Sequence, residues 1–274
     1  MLATKHLLWC VLACASQVVN GLAVPKTDAL GIIAALARDN SDTSDAQAKG
    51  FGDGMPLRIM PLGASITYGY ESTDGNGYRL DLRKQLEANG NEVNMVGDHP
   101  GGSMEDNDTE AWSGYVITQV HAKADVGAPK YKPNLVLVNV GTNDCVQNID
   151  LAKAGDRMTS LLDDVYKDSP RATVVLSTLL ANANATVQAR VEDFNDQIRT
   201  VADRFRAAKR RLVLVDMQGT AGPRIADLNK DGTHPTDAGY ARMANVWFAG
   251  IKEADREHFF QTAEKVAGIP DDGA

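Results

Sequence analysis

The 274-residue sequence predicts an α/β protein, a three-layer α/β/α sandwich built around a parallel five-stranded sheet. Five short apolar runs rich in Val, Leu and Ile do not alternate with polar residues, which is typical of strands buried on both faces. Longer segments with helical spacing lie between these runs and after the last one. This alternation favours a parallel sheet with helices on both sides, and the length suits one domain with a full core.

The predicted elements follow one another from residue 57 onwards. The strands are, in order, Leu57–Leu62, Val93–Val96, Leu135–Val140, Thr173–Leu179 and Leu212–Val215. The helices are Tyr78–Ala88, Val116–Ala124, Ile149–Tyr166, Val187–Ala208 and Thr236–Ala254. Because crossovers between parallel strands are right-handed, the carboxyl ends of all the strands meet at one edge of the sheet. Sites in such sheets form at that edge.

The first 55 residues are expected to lie outside this domain. Lys5 precedes the apolar run Leu7–Ala15, and small residues follow, which is typical of a secretory signal peptide over residues 1–23 rather than a buried helix. The run is also shorter than the roughly 20 apolar residues of a membrane span. Residues 24–55 indicate a poorly ordered leader or linker, and residues 56–274 form the predicted folded domain. The protein is therefore predicted to be secreted and extracellular.

Composition excludes some classes of partner. The net charge of −8, without a basic cluster interleaved with aromatics, argues against nucleic-acid binding. Removal of the predicted signal peptide leaves Cys145 as the only cysteine, so an internal disulfide is excluded. With no defined His partner, Cys145 is interpreted as a small buried hydrophobe rather than a nucleophile. The acidic run Glu105–Asp108 lacks a full calcium-ligand spacing and indicates a solvated loop, so no metal or cofactor is expected.

Three polar or glycine positions follow predicted strands. Ser65 comes directly after the first strand, where a serine is by itself more often a helix N-cap than a nucleophile. Gly114 follows the second strand and precedes a helix, where a glycine leaves its N–H free to donate, although taken by itself the position favours an ordinary loop glycine. Asn143 ends the third strand and either caps a turn or donates its amide to a substrate oxygen.

A fourth segment, Asp231-Gly232-Thr233-His234-Pro235, stands just before the last predicted helix. Asp and His three residues apart in a tight loop can hydrogen-bond directly. The carboxylate of Asp231 would then accept from Nδ1–H of His234, fix its tautomer and stabilise the imidazolium formed during catalysis. Histidine is scarce in the chain, so this pairing favours a functional role over an incidental one.

Taken together, the ordered segments resemble the SGNH (also called GDSL-type) hydrolase superfamily, which is named for a Ser, Gly, Asn and His on four blocks. The resemblance spans about residues 57–251, and Gly-x-Asn-Asp and Asp-x-x-His-Pro are its most specific parts. The segment from Asp237 to Ala244 is similar to family-three carbohydrate esterases of fungi and bacteria. Two positions depart from the pattern: Ala64 stands where many members have Asp, and Ala111 where the subgroup has Gly.

The resemblance implies a flavodoxin-like sheet and acyl transfer to water without a metal. Ser65 would be the nucleophile, His234 the base and Asp231 its orienting carboxylate. The N–H groups of Ser65 and Gly114 and the amide of Asn143 would form the oxyanion hole. The implied substrate is a small-molecule or polysaccharide ester, in the first place acetylated plant cell-wall polysaccharide such as xylan. A lipid ester hydrolase of the lysophospholipase or thioesterase type, and a non-catalytic carbohydrate-binding protein, remain as alternatives.

Overall fold

The computed structural model describes residues 49–269. Its core confirms the predicted α/β sandwich, with a parallel sheet as the central layer. The strands are β1 (Leu57–Gly63), β2 (Val93–Met95), β3 (Glu110–Ala111), β4 (Leu135–Asn139), β5 (Thr173–Ser177) and β6 (Leu212–Val215). Five of them follow the spatial order β2-β1-β4-β5-β6, and β3 pairs with the end of β1. All of these pairings are parallel.

Helices cover both faces of the sheet and follow the strands in alternation. They are α1 (Ser65–Tyr68), α2 (Arg79–Ala88), α3 (Ile117–Tyr131), α4 (Thr142–Gln147), α5 (Ala154–Asp168), α6 (Ala185–Ala207) and α7 (Asp237–Arg256). Side chains at the start of two helices satisfy free backbone N–H groups. Asn184 accepts from the N–H of Thr186 at 3.0 Å, and Thr236 accepts from the N–H of Gly239 at 3.3 Å. These caps define where α6 and α7 begin.

Two hydrophobic cores lie on opposite faces of the sheet. Because side chains of a strand alternate between faces, Val136 and Val138 of β4 join one core while Leu135 and Leu137 join the other. The first core packs the strands against α3, α5 and α6, and the second packs them against α2 and α7. Burial on both faces explains why the strand sequences are apolar without alternation.

The structure contains elements that the sequence pattern did not predict. The two-residue β3 pairs Glu110 with Leu62 and Ala111 with Gly63, which makes the sheet six-stranded rather than five-stranded. Helices α1 and α4, of four and six residues, are also new. Elements this short contain no full period of apolar residues, so periodicity cannot reveal them. All three lie at the carboxyl edge of the sheet, where the predicted site residues are.

Two helix boundaries and the start of the domain also differ from prediction. Helix α5 begins at Ala154 rather than at Ile149. Helix α3 continues to Tyr131 rather than ending at Ala124, although Gly127 interrupts its apolar spacing. At Gly127 a Cβ would lie 2.6 Å from Oε2 of Glu110, so the glycine permits close packing of helix on sheet. Within the predicted leader, Phe51 is buried and its N–H donates to Oδ1 of Asn91 at 2.8 Å. Packing therefore begins before the predicted boundary at residue 56.

The predicted signal peptide and residues 24–48 lie outside the described residues. Across residues 49–269, none of the helices combines the length and the apolarity that crossing a bilayer requires. Cys145 is buried, its Sγ lies 3.7 Å from the carbonyl oxygen of Arg190, and burial raises the pKa of its thiol to about 12. A thiol that stays protonated at neutral pH is a poor nucleophile, in agreement with its interpretation as a packing residue.

Candidate active site

Ser65 is the first residue of α1, immediately beyond the end of β1. The turn between them depends on Gly63, where a Cβ would lie 2.2 Å from Oγ1 of Thr67 and 2.3 Å from the carbonyl oxygen of Asn139. The residue in the N-cap position is Ala64, and the Ser65 hydroxyl is not used to cap the helix. Instead, Oγ of Ser65 lies 2.8 Å from Nε2 of His234. The N-cap interpretation of Ser65 is therefore wrong, because the hydroxyl pairs with an imidazole 169 residues away in the sequence.

The carboxylate of Asp231 holds the other side of the same imidazole. Its Oδ2 lies 2.5 Å from Nδ1 of His234, and its Oδ1 accepts from the N–H groups of Thr233 and His234, both at 3.0 Å. Partial burial acts to raise the pKa of Asp231, but the hydrogen bonds from His234 and from the two N–H groups outweigh it and lower the pKa. An ionised carboxylate at Nδ1 leaves Nε2 of His234 as the acceptor for the serine proton.

Backbone and side-chain hydrogen bonds hold the Asp231–His234 loop in place. The N–H of Asn229 donates to the carbonyl of His234 at 2.8 Å, and the amide of Asn229 donates to the carbonyl of Pro235 at 2.8 Å. From the opposite side, the amide of buried Asn182 donates to Oγ1 of Thr233 at 2.9 Å. Catalytic groups must be held to within fractions of an ångström, and this loop is tied down on both sides.

The predicted glycine and asparagine lie on two segments that hydrogen bonds connect to each other and to β1. The N–H of Trp112 donates to the carbonyl of Gly63 at 3.3 Å, which brings the Gly114 segment beside the turn that carries Ser65. The amide nitrogen of Asn143 donates to the carbonyl of Tyr115 at 2.8 Å. Ser65 is hydrogen-bonded to His234, and His234 is hydrogen-bonded to Asp231. Hydrogen bonds thus bring all the predicted blocks to one edge of the sheet.

Two backbone N–H groups at this edge are available to a ligand. Among residues 49–269, no hydrogen-bond acceptor faces the N–H of Ser65 or the N–H of Gly114. Gly114 has a φ of +84°, and a Cβ built there would meet nothing within 4 Å, so its backbone borders open space. The Asn143 amide uses one N–H for Tyr115 and has a second N–H to donate. Free N–H donors of this kind can stabilise negative charge that develops on an oxygen.

Asp144 is a positioning residue that the sequence interpretation missed. It is fully buried, its Oδ2 accepts from the N–H of Ile117 at 2.9 Å, and its Oδ1 accepts from Nη2 of Arg157 at 3.0 Å. Burial raises the pKa of Asp144 more than these bonds lower it. The carboxylate anchors the start of α3, two residues beyond Tyr115, and so connects the Asn143 segment to the Gly114 segment. Its position directly after Asn143 is the sequence signal that could have indicated this.

Aromatic rings surround the site, and the sequence interpretation did not identify them either. The ring of Tyr70 lies 4.8 Å from the ring of His234, centroid to centroid. On the Gly114 side, His99 stacks on Trp112 at 5.0 Å and on Tyr68 at 4.8 Å. Nδ1 of His99 lies 2.6 Å from the carbonyl oxygen of Ala111, so this contact and the two ring stacks hold its imidazole in place. These rings are distant from one another in the sequence, so their contacts produce no pattern in the local sequence that would have predicted them.

Groups of potential metal ligands lie away from the Ser65 hydroxyl. In the described part of the chain, His121, Asp125 and Asp164 have ligand atoms within 4.8 Å of one another on α3 and α5. Nε2 of His121 lies 2.9 Å from Oδ2 of Asp164 and 3.4 Å from Oδ1 of Asp125, so contacts of the imidazole with the two carboxylates account for the grouping. The acidic run 105–108 is not wholly solvated: Asp106 is buried, pairs with Arg83, and burial raises its pKa to about 6. No step of the chemistry below uses either group.

A model of the GDSL-like lipase/acylhydrolase family matches residues 62–242, the stretch that contains all of these site residues. The chain belongs to this family. The resemblance to SGNH, or GDSL-type, hydrolases is therefore confirmed.

Three similar proteins are described as esterases. A multidomain esterase of Ruminococcus flavefaciens is 29% identical over 228 residues, which cover 72% of this chain and 28% of that protein. The chain thus spans under a third of that relative's length. A family 3 carbohydrate esterase of Clostridium thermocellum has a TM-score of 0.66 at 24% identity and covers 73% of this chain and 98% of that one. A family 3 carbohydrate esterase of Talaromyces cellulolyticus has a TM-score of 0.64 at 22% identity, and the match covers 73% of this chain and 99% of that one. At these identities the structural likeness shows a shared fold.

Proposed function

We propose that this protein is a secreted serine esterase that hydrolyses acetyl esters on a carbohydrate through an acetyl-enzyme at Ser65. The observation that carries the proposal is the continuous relay from Ser65 Oγ to His234 Nε2 at 2.8 Å and from His234 Nδ1 to Asp231 Oδ2 at 2.5 Å. A serine is activated for attack on a carbonyl when its hydroxyl pairs with an imidazole that a carboxylate orients.

In the proposed reaction, Oγ of Ser65 attacks the ester carbonyl while its proton passes to Nε2 of His234. The carbonyl oxygen becomes an oxyanion that accepts hydrogen bonds from the N–H groups of Ser65 and Gly114 and from the Asn143 amide. When the tetrahedral intermediate collapses, the protonated His234 gives its proton to the departing alcohol. A water molecule then attacks the acetyl-enzyme while Nε2 of His234 takes its proton, and His234 returns that proton to Oγ of Ser65 as the acyl bond breaks and acetate is released. Asp231 stays ionised and stabilises the imidazolium in both halves.

The relatives support the choice of an acetyl ester on a carbohydrate. The two solved carbohydrate esterases share the fold over nearly their whole length. The proposal of secretion rests on the apolar N-terminal run with its positive flank and small-residue exit. A cell-wall polysaccharide such as acetylated xylan is the natural substrate that fits both arguments.

A series of p-nitrophenyl esters, from acetyl to decanoyl, tests the reaction and the acyl group together. Wild type should hydrolyse the acetyl ester with the highest kcat/KM, and Ser65→Ala should abolish turnover. Ser160→Ala, on the exposed surface of α5, is the matched control and should retain full activity. A preference for decanoyl would replace the proposal by a lipid ester hydrolase, and no turnover of any ester would indicate a binding protein. Acetate release from acetylated xylan then tests the natural substrate.

A further inference from the structure

Tyr70 is an exposed aromatic residue in contact with the histidine of the site. Nearly half of its surface, 47%, is exposed. Its ring centroid lies 4.8 Å from that of His234, and the two rings are tilted by 60°. The tyrosine thus contacts the imidazole and still presents ring surface to solvent. No step of the esterase chemistry requires a residue with these properties.

The exposed ring is carried on a firmly held segment of backbone. The N–H of Tyr70 donates to the carbonyl of Ser65 at 2.9 Å, and its carbonyl accepts from the hydroxyl of buried Tyr240 at 2.6 Å. Three residues further on, the N–H and the hydroxyl of Thr73 donate to the carboxylate of Asp237 at 2.8 and 2.6 Å. These bonds tie the segment to α1 and to α7. The ring is therefore pre-positioned beside Ser65 and His234, which lowers the ordering cost of any ligand that binds it.

The proton transfer determines which part of the substrate lies nearest to this ring. Nε2 of His234 gives its proton to the departing alcohol, so the alcohol oxygen must come within hydrogen-bond distance of that nitrogen. The carbon skeleton of the alcohol then extends from the imidazole into the space that borders it. Tyr70 contacts the imidazole and has an open ring surface. It is therefore placed to line the space of the leaving alcohol.

We propose that Tyr70 forms a stacking subsite for the pyranose ring of the leaving alcohol. The inference rests on the proposed function and names the part of the sugar ester that the protein recognises. A pyranose has an apolar face of C–H groups that can cover an aromatic ring, while its hydroxyls stay in water. A rigid aromatic side chain supplies such a contact at a low cost in conformational entropy. Tyr70, the residue that recognises the sugar, would thus lie beside His234, which protonates the leaving alcohol.

Two acetate esters that differ in the alcohol alone test this subsite. Ethyl acetate and a mono-acetylated methyl xylopyranoside form the same acetyl-enzyme, so a difference in their kcat/KM arises in binding and acylation, where the alcohol is present. The quantity to measure is the ratio of kcat/KM for the sugar ester to kcat/KM for ethyl acetate, from acetate release. Tyr70→Ala and Tyr70→Leu should lower this ratio about tenfold, mainly through the KM of the sugar ester. Tyr70→Phe, which retains the ring, should keep it within twofold of wild type.

The outcomes separate this inference from the proposed function. If wild type hydrolyses both esters and Tyr70→Ala lowers both kcat/KM values by the same factor, Tyr70 merely packs against His234 and the subsite is refuted. A Tyr70→Leu variant with an unchanged ratio would also refute it, because leucine is apolar but cannot stack. If wild type hydrolyses neither ester, the proposed function itself fails.

Discussion

Asn143 offers a prediction that can be worked through from the structure, because its amide has two separate tasks. One N–H donates to the carbonyl of Tyr115 at 2.8 Å, and the other is proposed to donate to the oxyanion. Loss of a single oxyanion donor costs about 3 kcal/mol of barrier, which corresponds to roughly a hundredfold or more in kcat. Loss of the bond to Tyr115 should in addition lower the free energy of unfolding by about 1 kcal/mol. Asn143→Ala should therefore reduce kcat at least a hundredfold, with a much smaller change in KM.

The assay is p-nitrophenyl acetate hydrolysis, with urea unfolding of the same samples. Asn143→Asp keeps the shape but replaces the donor by an acceptor, so its kcat should fall at least as far as that of Asn143→Ala. Gln147→Ala, an exposed position at the end of the same helix, is the matched control and should leave kcat and stability unchanged. A kcat for Asn143→Ala within threefold of wild type would refute the role of Asn143 in the oxyanion hole.

Three further predictions concern stability. Burial raises the pKa of Glu110 to about 7, so the native state keeps a proton that the unfolded state releases from about pH 4.5 upwards, and wild-type stability falls over that interval. In urea unfolding, Glu110→Gln should thus be more stable than wild type by up to about 3 kcal/mol at pH 8 and equal to it near pH 4. A difference in the free energy of unfolding that does not change with pH would contradict this prediction. Gly141→Ala should cost about 2–4 kcal/mol, because a Cβ at this φ of +120° would lie 2.2 Å from Cε1 of Phe194. Gly114→Ala, with open space around the Cβ, should cost only about 1 kcal/mol by the same measurement.

The sequence predicted the layers of the fold well because the strands are buried on both faces. The first four residues of β4, Leu135 to Val138, are all apolar, and segments with helical spacing lie on either side of this strand, so its place in a parallel sheet follows from hydrophobic patterning. The pair Glu110–Ala111 is different: its strand conformation comes from pairing with Leu62 and Gly63, far away in sequence. Tertiary pairing of this kind has no local signal, and for that reason β3 was missed.

The site was predictable to the extent that its residues follow strand ends or stand close in sequence. Asp231 and His234 are three residues apart, and their direct hydrogen bond was expected. Ser65 alone favoured the wrong interpretation, an N-cap, and the distant His234 resolves it. The contact between Tyr70 and His234 could not be predicted, because it depends on a bond from Tyr240 that positions the Tyr70 backbone.

The central claim is that Ser65 is the nucleophile, and covalent labelling with a fluorophosphonate probe tests it most directly. The hydroxyl of Ser65 lies 2.8 Å from Nε2 of His234, so it should be the activated serine in the chain. Peptide mapping by mass spectrometry should find a single adduct, on the peptide that contains Ser65. Ser65→Ala should give no adduct, and Ser160→Ala should label like wild type. An adduct on another serine, or undiminished labelling of Ser65→Ala, would contradict the assignment.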